Sequence, residues 1–89
     1  MLHITSANHL ENYRVRVEFN NGESGIADFA DSLDGLIFEP LRDQKYFQSF
    51  RIEGHTLSWS NGADFAPEYI WELTRSINHI EQRVGHTDG

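Results

Sequence analysis

The sequence predicts an α+β fold: a small antiparallel sheet built from two hairpins plus an N-terminal strand, with short helices and a C-terminal helix packed on one side. Three observations favour this class. Residues 13–19 alternate between apolar and polar side chains, which is the period of a half-buried strand. The pairs 21–22 and 54–55 each place a glycine between short apolar runs and are typical of hairpin turns. After Pro67 the apolar residues recur every three or four positions, which is the period of a helix.

Length and composition limit the classes of protein to consider. The 89 residues suffice for one domain with one modest core, and six Phe, three Tyr and two Trp residues supply large apolar side chains for it. The absence of cysteine excludes disulfides, thiolate zinc sites and thiol nucleophiles. Seven basic against fourteen acidic residues give a net charge of −7, which repels a polyanion, so direct binding to nucleic acid is not expected. Because residues 1–5 lack a signal-peptide pattern and no apolar run is long enough to span a membrane, we expect a cytoplasmic protein.

Two strands and a hairpin are predicted in the first third of the chain. Residues 2–7 mix apolar and β-branched side chains, which favours a first strand. The alternation over residues 13–19 predicts a second strand with four apolar side chains on one face. Asn21-Gly22 then predicts a two-residue type I′ turn, which sets Val17 opposite Ile26 on the returning strand.

Short helical pieces are predicted in the middle of the chain. The apolar spacing within residues 28–36 favours a short helix or a helical turn. Because Pro40 disfavours helical geometry at the residue before it, residues 38–41 are not expected to lie inside a helix. Asp43 is a good N-cap and predicts a short helix that ends near Phe47.

A second hairpin is predicted around Gly54-His55. As a two-residue type II′ turn, this pair sets Ile52 opposite Leu57, and Phe50 opposite Trp59. Two matched apolar pairs support this register more strongly than either strand does alone. Trp59 is therefore expected in the core rather than on a binding surface.

The C-terminal helix is predicted over about residues 67–84, at the end of a domain that covers residues 1–84, and residues 85–89 are expected to fray. Its apolar residues form a narrow seam: Ile70, Leu73, Ile77, Ile80 and Val84. Steps of three and four are typical of a helix that packs along one narrow line rather than a broad face. Either the domain's own sheet or another chain must cover Ile77, Ile80 and Val84, and the sequence leaves both interpretations open.

Several ordered motifs resemble a known family. The strand at residues 13–19, with Asn-Gly beyond its tip, is followed by Phe38-Glu39-Pro40-Leu41-Arg42-Asp43, by Phe47, and by the segment from Trp59 to Pro67. Over roughly residues 2–75, this order resembles the bacterial domain of unknown function 2442 family.

The resemblance implies a compact α+β domain, and it implies little about chemistry, because the family's biochemical activity is not established. Some members are encoded beside another small uncharacterised protein, in pairs suspected of being toxin–antitoxin modules. The resemblance therefore implies an antitoxin-like role. Residues 76–84 run past the typical end of the domain and lie outside what the resemblance explains.

Candidate catalytic and metal-ligating residues have simpler explanations in this sequence. The residue types of a hydrolytic triad occur at His55, Ser58, Ser60 and Asp64. Strand alternation, however, places both serines on the outward face of a hairpin, where solvent is expected. The five histidines show no two-ligand spacing on a common element, and the acids within residues 28–34 recur every three residues where a calcium loop needs alternate positions. We therefore expect no catalytic residues, no metal and no cofactor.

Asp64 is the most ambiguous single residue. It stands just before the C-terminal helix, so its carboxylate is expected to accept hydrogen bonds from backbone N–H groups there or to pair with Arg42. The alternative is a polar site for a small ligand, in a binding or enzymatic domain. Its candidate residues are Arg42, Asp43, Asn61 and Asp64.

The favoured hypothesis is a non-enzymatic protein-interaction module. Its C-terminal helix would bind a second copy of the chain or a small toxin-like partner through Ile77, Ile80 and Val84. The narrow seam and an acidic charge that complements a basic partner support this hypothesis.

Overall fold

Five strands in two antiparallel sheets, together with three helical elements, make up residues 1–75, the part of the chain that this computed structural model describes. The first sheet has the order β1 (Ile4–His9), β2 (Arg14–Phe19), β3 (Ser24–Asp28), and the second pairs β4 (Arg51–Glu53) with β5 (Thr56–Ser58). A 3₁₀ helix (Leu36–Arg42) and α1 (Gln44–Phe47) connect the sheets, and α2 begins at residue 67 and is helical through residue 75. The predicted α+β class is confirmed, with the five strands divided between two sheets.

The central strand β2 confirms the predicted alternation. Val15, Val17 and Phe19 are buried, whereas Arg16 and Glu18 are exposed. The preceding strand β1 starts and ends two residues later than predicted, and its pairing with β2 shifts register near its start. The buried face of β2 forms one wall of the core.

The register of the first hairpin differs by one residue from the prediction. Val17 pairs with Gly25, so the predicted pairing of Val17 with Ile26 is wrong. A type I′ turn needs a positive φ at both central residues, but in this loop Gly22 has one (88°) and Asn21 does not. The backbone therefore forms a three-residue loop over residues 20–22, with the glycine at its left-handed position.

A 3₁₀ helix occupies Leu36–Arg42, although Pro40 predicts that residues 38–41 do not lie inside a helix. Of the two forms predicted for residues 28–36, a short helix or a helical turn, the structure has a turn, in which the Ser32 N–H donates to the Phe29 carbonyl at 2.9 Å. The exclusion of residues 38–41 from a helix was wrong, because 3₁₀ bonds span only three residues and the helix is short. Pro40 costs this helix one N–H donor, while its carbonyl still accepts from the Asp43 N–H at 3.2 Å.

The predicted N-cap and second hairpin are confirmed. The Asp43 carboxylate accepts from the Tyr46 N–H at the start of α1, and Ile52 pairs with Leu57. The turn at 54–55 has positive φ at both residues (58° and 71°), which is type I′ rather than the predicted II′. The rings of Phe50 and Trp59 also meet edge to face, at 6.2 Å between centroids, although Phe50 lies outside β4.

The two sheets share one hydrophobic cluster. It joins β2 and β3 to β5 and α2 through side chains that include Val15, Phe29, Phe47, Leu57, Trp59, Phe65 and Ile70. At its edge, the Ile4 N–H donates to the carbonyl of His55 at 2.9 Å, and the His3 and His55 rings stack at 3.9 Å between centroids. The turn of the second hairpin is thus attached to the start of β1.

Helix α2 begins at Pro67, as predicted, and lies against the first sheet. Ile70 is fully buried, and Thr74 packs against Gly25 so closely that a Cβ at Gly25 would lie 2.9 Å from the Thr74 Cβ. The Trp71 Nε1–H donates to the carboxylate of Glu23 just before β3. Within the described residues, no helix combines the length and the apolar character needed to cross a membrane.

Candidate functional site

Arg42 is held by neighbours other than the predicted one. Its Nε–H donates to the Leu33 carbonyl at 3.1 Å, and its Nη2 lies 3.3 Å from the Asp34 carboxylate. The predicted pair between Arg42 and Asp64 is therefore wrong. The reason is local: the turn after β3 places Asp34 beside the end of the 3₁₀ helix, eight residues from Arg42 in the chain.

Asn61 connects three segments through its polar groups. Its Nδ2 donates to the Ile37 carbonyl at 2.9 Å, its Oδ1 accepts from the Ala63 N–H at 3.0 Å, and its backbone N–H donates to the Tyr46 hydroxyl at 3.0 Å. Together with the capping bond of Asp43, these contacts give two of the candidate ligand residues structural partners. Both side chains stabilise the loops around the 3₁₀ helix.

Asp64 does not cap α2. Its backbone forms an isolated bridge with Ser58, and the residue is exposed. Within residues 1–75 its carboxylate accepts no hydrogen bond and forms no ion pair. The expectation that this carboxylate serves the start of α2 is therefore wrong, and α2 is positioned instead by its buried side chains.

An open cleft lies beside Arg42. It has a volume of about 250 Å³ and is lined by Tyr13, Ala30, Leu33, Asp34 and Arg42. The Tyr13 hydroxyl donates to the Arg42 carbonyl, and the Arg42 guanidinium is paired with Asp34. Of the four candidate ligand residues, Arg42 alone lines this cleft, so the cleft does not bring the four together as one polar site.

The triad residue types are not brought together. The Ser58 hydroxyl donates to the Glu53 carbonyl at 3.3 Å, the Ser60 hydroxyl lies 3.1 Å from the Tyr46 hydroxyl, and the His55 ring stacks on His3. Within the described residues, neither serine is hydrogen-bonded to a histidine, and no group of three or more His, Asp or Glu side chains is placed to hold a metal ion. The arrangement offers no activated nucleophile.

An exposed apolar surface is the feature that the sequence reasoning missed. The exposed fractions are 88% for Leu36, 47% for Ile37 and 42% for Tyr69. The buried Phe65 links Phe38 to Tyr69, because its ring stacks on Phe38 at 4.8 Å and on Tyr69 at 5.6 Å between centroids. We call Leu36, Ile37, Phe38 and Tyr69 the Leu36 surface. In the sequence, the run of three apolar residues at 36–38 is the pattern that could have indicated this surface.

The three partner-binding candidates, Ile77, Ile80 and Val84, lie outside the described residues. The first two seam residues are described: Ile70 is fully buried, and Leu73 is partly buried against the core. The domain's own core thus covers the N-terminal part of the seam.

A family comparison covers both sheets, the 3₁₀ helix and the described part of α2. The family described as "Protein of unknown function (DUF2442)" matches residues 4–76. The chain belongs to this family. The strands and helices described for this DUF2442 member lie within the matched region, and the resemblance noted from its motifs is confirmed. No curated protein and no solved structure matches the chain.

Proposed function

We propose that this DUF2442 protein is a non-enzymatic interaction module whose C-terminal helix binds another protein chain. The observation that carries the proposal is the division of the seam. Ile70 and Leu73 pack into the domain's core, whereas the sequence continues the same apolar spacing at Ile77, Ile80 and Val84. Apolar residues in this spacing are typical of helix-in-groove or helix-on-helix binding.

The polar residues support the non-enzymatic part of the proposal. The side chains of Arg42, Asp43 and Asn61 are hydrogen-bonded within the fold. These bonds stabilise loops, so the polar groups that form them are not available to a substrate. An enzyme of this size would need at least one group that is held in place and free to react. The cleft beside Arg42 supplies none.

The charge favours a basic partner. With a net charge of −7, two copies of the chain repel each other at long range, while a basic chain is attracted. A basic partner also fits the antitoxin-like role in a two-protein bacterial pair. Self-association through the same residues is the competing outcome, and the experiment below distinguishes the two.

The test is co-purification of the full chain from native lysate, with the bound protein identified and the mass of the complex measured. Ile77→Asp and Ile80→Asp place a charge at seam positions, and Asn78→Asp is the matched control on a polar position between them. We expect the seam variants to lose at least about tenfold in affinity, because each loses the burial of a large aliphatic side chain. Unchanged partner recovery and unchanged mass in both seam variants would contradict the proposal, and a wild-type complex containing only this chain would favour self-association.

A further inference from the structure

We propose that the Leu36 surface is a second interaction site, which binds a segment of a partner protein that carries apolar side chains flanked by Lys or Arg. The surface lies wholly within residues 1–75 and shares no residue with the seam. The evidence for this second site is therefore independent of the evidence for the seam.

The first argument is exposure. Leu36 is 88% exposed, and the neighbouring Ile37 is 47% exposed. A 3₁₀ helix has three residues per turn, so the partly exposed Phe38 lies on the same face as the fully buried Leu41 and forms the inner edge of the surface. Leu36 and Ile37 project from the other faces of the same helix. Exposed aliphatic side chains next to one another on a small domain mark an interaction site more often than isolated ones do.

The second argument is that the surface is held in place before any partner binds. Beneath it, Phe65 is buried and stacks on both Phe38 and Tyr69. The Tyr69 hydroxyl lies 2.6 Å from the Ser32 hydroxyl, and the Ile37 carbonyl accepts from Asn61 Nδ2. Because these contacts fix the backbone and the rings, binding would order few additional groups.

The third argument is charge, which identifies the occupant. The segments that carry the surface also carry exposed carboxylates: Asp31, Asp34, Glu39, Asp64 and Glu68. Of these five, Asp34 alone forms an ion pair with a described residue, Arg42. These exposed carboxylates lie close in the chain to the apolar side chains. An acidic apolar surface complements apolar side chains flanked by positive charges, and it disfavours a second copy of itself.

The test measures binding of labelled synthetic peptides to the full chain by fluorescence anisotropy. The probe is a short peptide that alternates Leu with Lys. The comparison peptides are a Leu-Glu peptide, in which the charge is reversed, and a Ser-Lys peptide, in which the apolar component is removed. We expect the Leu-Lys peptide to bind at least about tenfold more tightly than either comparison peptide.

Variants locate the binding. Leu36→Ser combined with Ile37→Ser should weaken Leu-Lys binding about tenfold or more, because two aliphatic side chains lose their burial. Ile52→Ser is the matched control, since Ile52 is 41% exposed on β4, outside the Leu36 surface. Glu39→Gln should weaken binding about twofold to threefold at low salt, and this difference should vanish at high salt. Thermal unfolding of each variant checks that the fold is intact.

Three results would overturn the proposal: equal binding by the double variant and the wild type, equal binding of the Ser-Lys peptide, or equal loss of affinity in Ile52→Ser. Equal binding of the Ser-Lys peptide would mean that the acidic protein attracts any polycation, without a contribution from apolar side chains. Ile77→Asp should leave peptide binding unchanged. The experiments can therefore contradict the proposal for the seam and the proposal for the Leu36 surface independently of each other.

Discussion

At the scale of single residues, the contact between Glu23 and Trp71 joins the first hairpin to α2. The Trp71 Nε1–H donates to the Glu23 carboxylate, and this bond lowers the pKa of Glu23 below its usual value near 4.5. Desolvation opposes the shift, while Asn21 and Arg75 contribute smaller effects in the same direction as the indole. Since the guanidinium of Arg75 also lies over the Trp71 ring, at 4.8 Å, the indole is held from two sides.

This contact predicts a pH dependence. Because the pKa of Glu23 is lower in the folded than in the unfolded chain, its ionised form stabilises the fold above the unfolded pKa. That stabilisation is lost as the pH falls through the folded pKa. Glu23→Gln should therefore be less stable than wild type at about pH 6, and the difference should shrink below about pH 4. Urea unfolding of both proteins at several pH values measures this difference in the free energy of unfolding.

The matched control for this prediction is Glu18→Gln. Glu18 is an exposed carboxylate on β2, and its side chain forms no hydrogen bond or ion pair with the described residues. At about pH 6 its substitution should change the free energy of unfolding little, as is usual for an exposed position. An identical change in both variants would show that general charge reduction, and not the bond to Trp71, is responsible.

At the scale of elements, the docking of α2 depends on the absence of a side chain at Gly25. A Cβ there would lie 2.9 Å from the Thr74 Cβ, so either the helix or the strand must move. Gly25→Ala should lower the free energy of unfolding by about 1–3 kcal/mol, the usual cost of overpacking. Denaturant unfolding gives the value.

A double-mutant cycle isolates this close approach from other effects of the substitution. Thr74→Gly removes the Cβ that the new methyl group would meet, so the cost of Gly25→Ala should be smaller in that background. Ser24→Ala, at the exposed neighbouring position of β3, should change stability little. Equal costs of Gly25→Ala in both backgrounds would contradict the assigned contact.

Element types were predictable from the sequence where a local pattern decides them. The alternation of β2, the capping residue of α1 and the pairing of Ile52 with Leu57 follow from period, cap and turn length. The register of the first hairpin did not, because Asn-Gly supports both a two-residue and a three-residue loop. The 3₁₀ helix was missed because three-residue hydrogen bonding tolerates a proline that an α-helix interior does not.

The candidate site was less predictable than the elements, because its contacts are tertiary. Residue type and a position before a helix suggested Asp64 as a partner for Arg42. The guanidinium instead pairs with Asp34, and only the folded turn after β3 makes that neighbour available. The Leu36 surface was missed for a related reason. A run of apolar residues normally predicts burial, and which of its members remain exposed depends on the face of the helix that meets the core.

At the scale of the whole molecule, the two sheets are expected to unfold together. Trp59 belongs to the shared cluster beside the second sheet, and Trp71 packs against the same cluster from α2. In each single-tryptophan variant, Trp59→Phe and Trp71→Phe, the fluorescence transition should coincide with the far-ultraviolet circular dichroism transition. Separate midpoints in the variant that retains Trp59 would mean that the second hairpin unfolds independently.

The bond between Ile4 and His55 has a further consequence for behaviour at high concentration. β1 lies at the edge of its sheet, and the unpaired N–H and C=O groups of an edge strand can template the addition of a strand from another molecule. The second hairpin contacts β1, and the His55 carbonyl takes the Ile4 N–H that an incoming strand would need. The second hairpin therefore blocks the addition of a foreign strand at the start of β1.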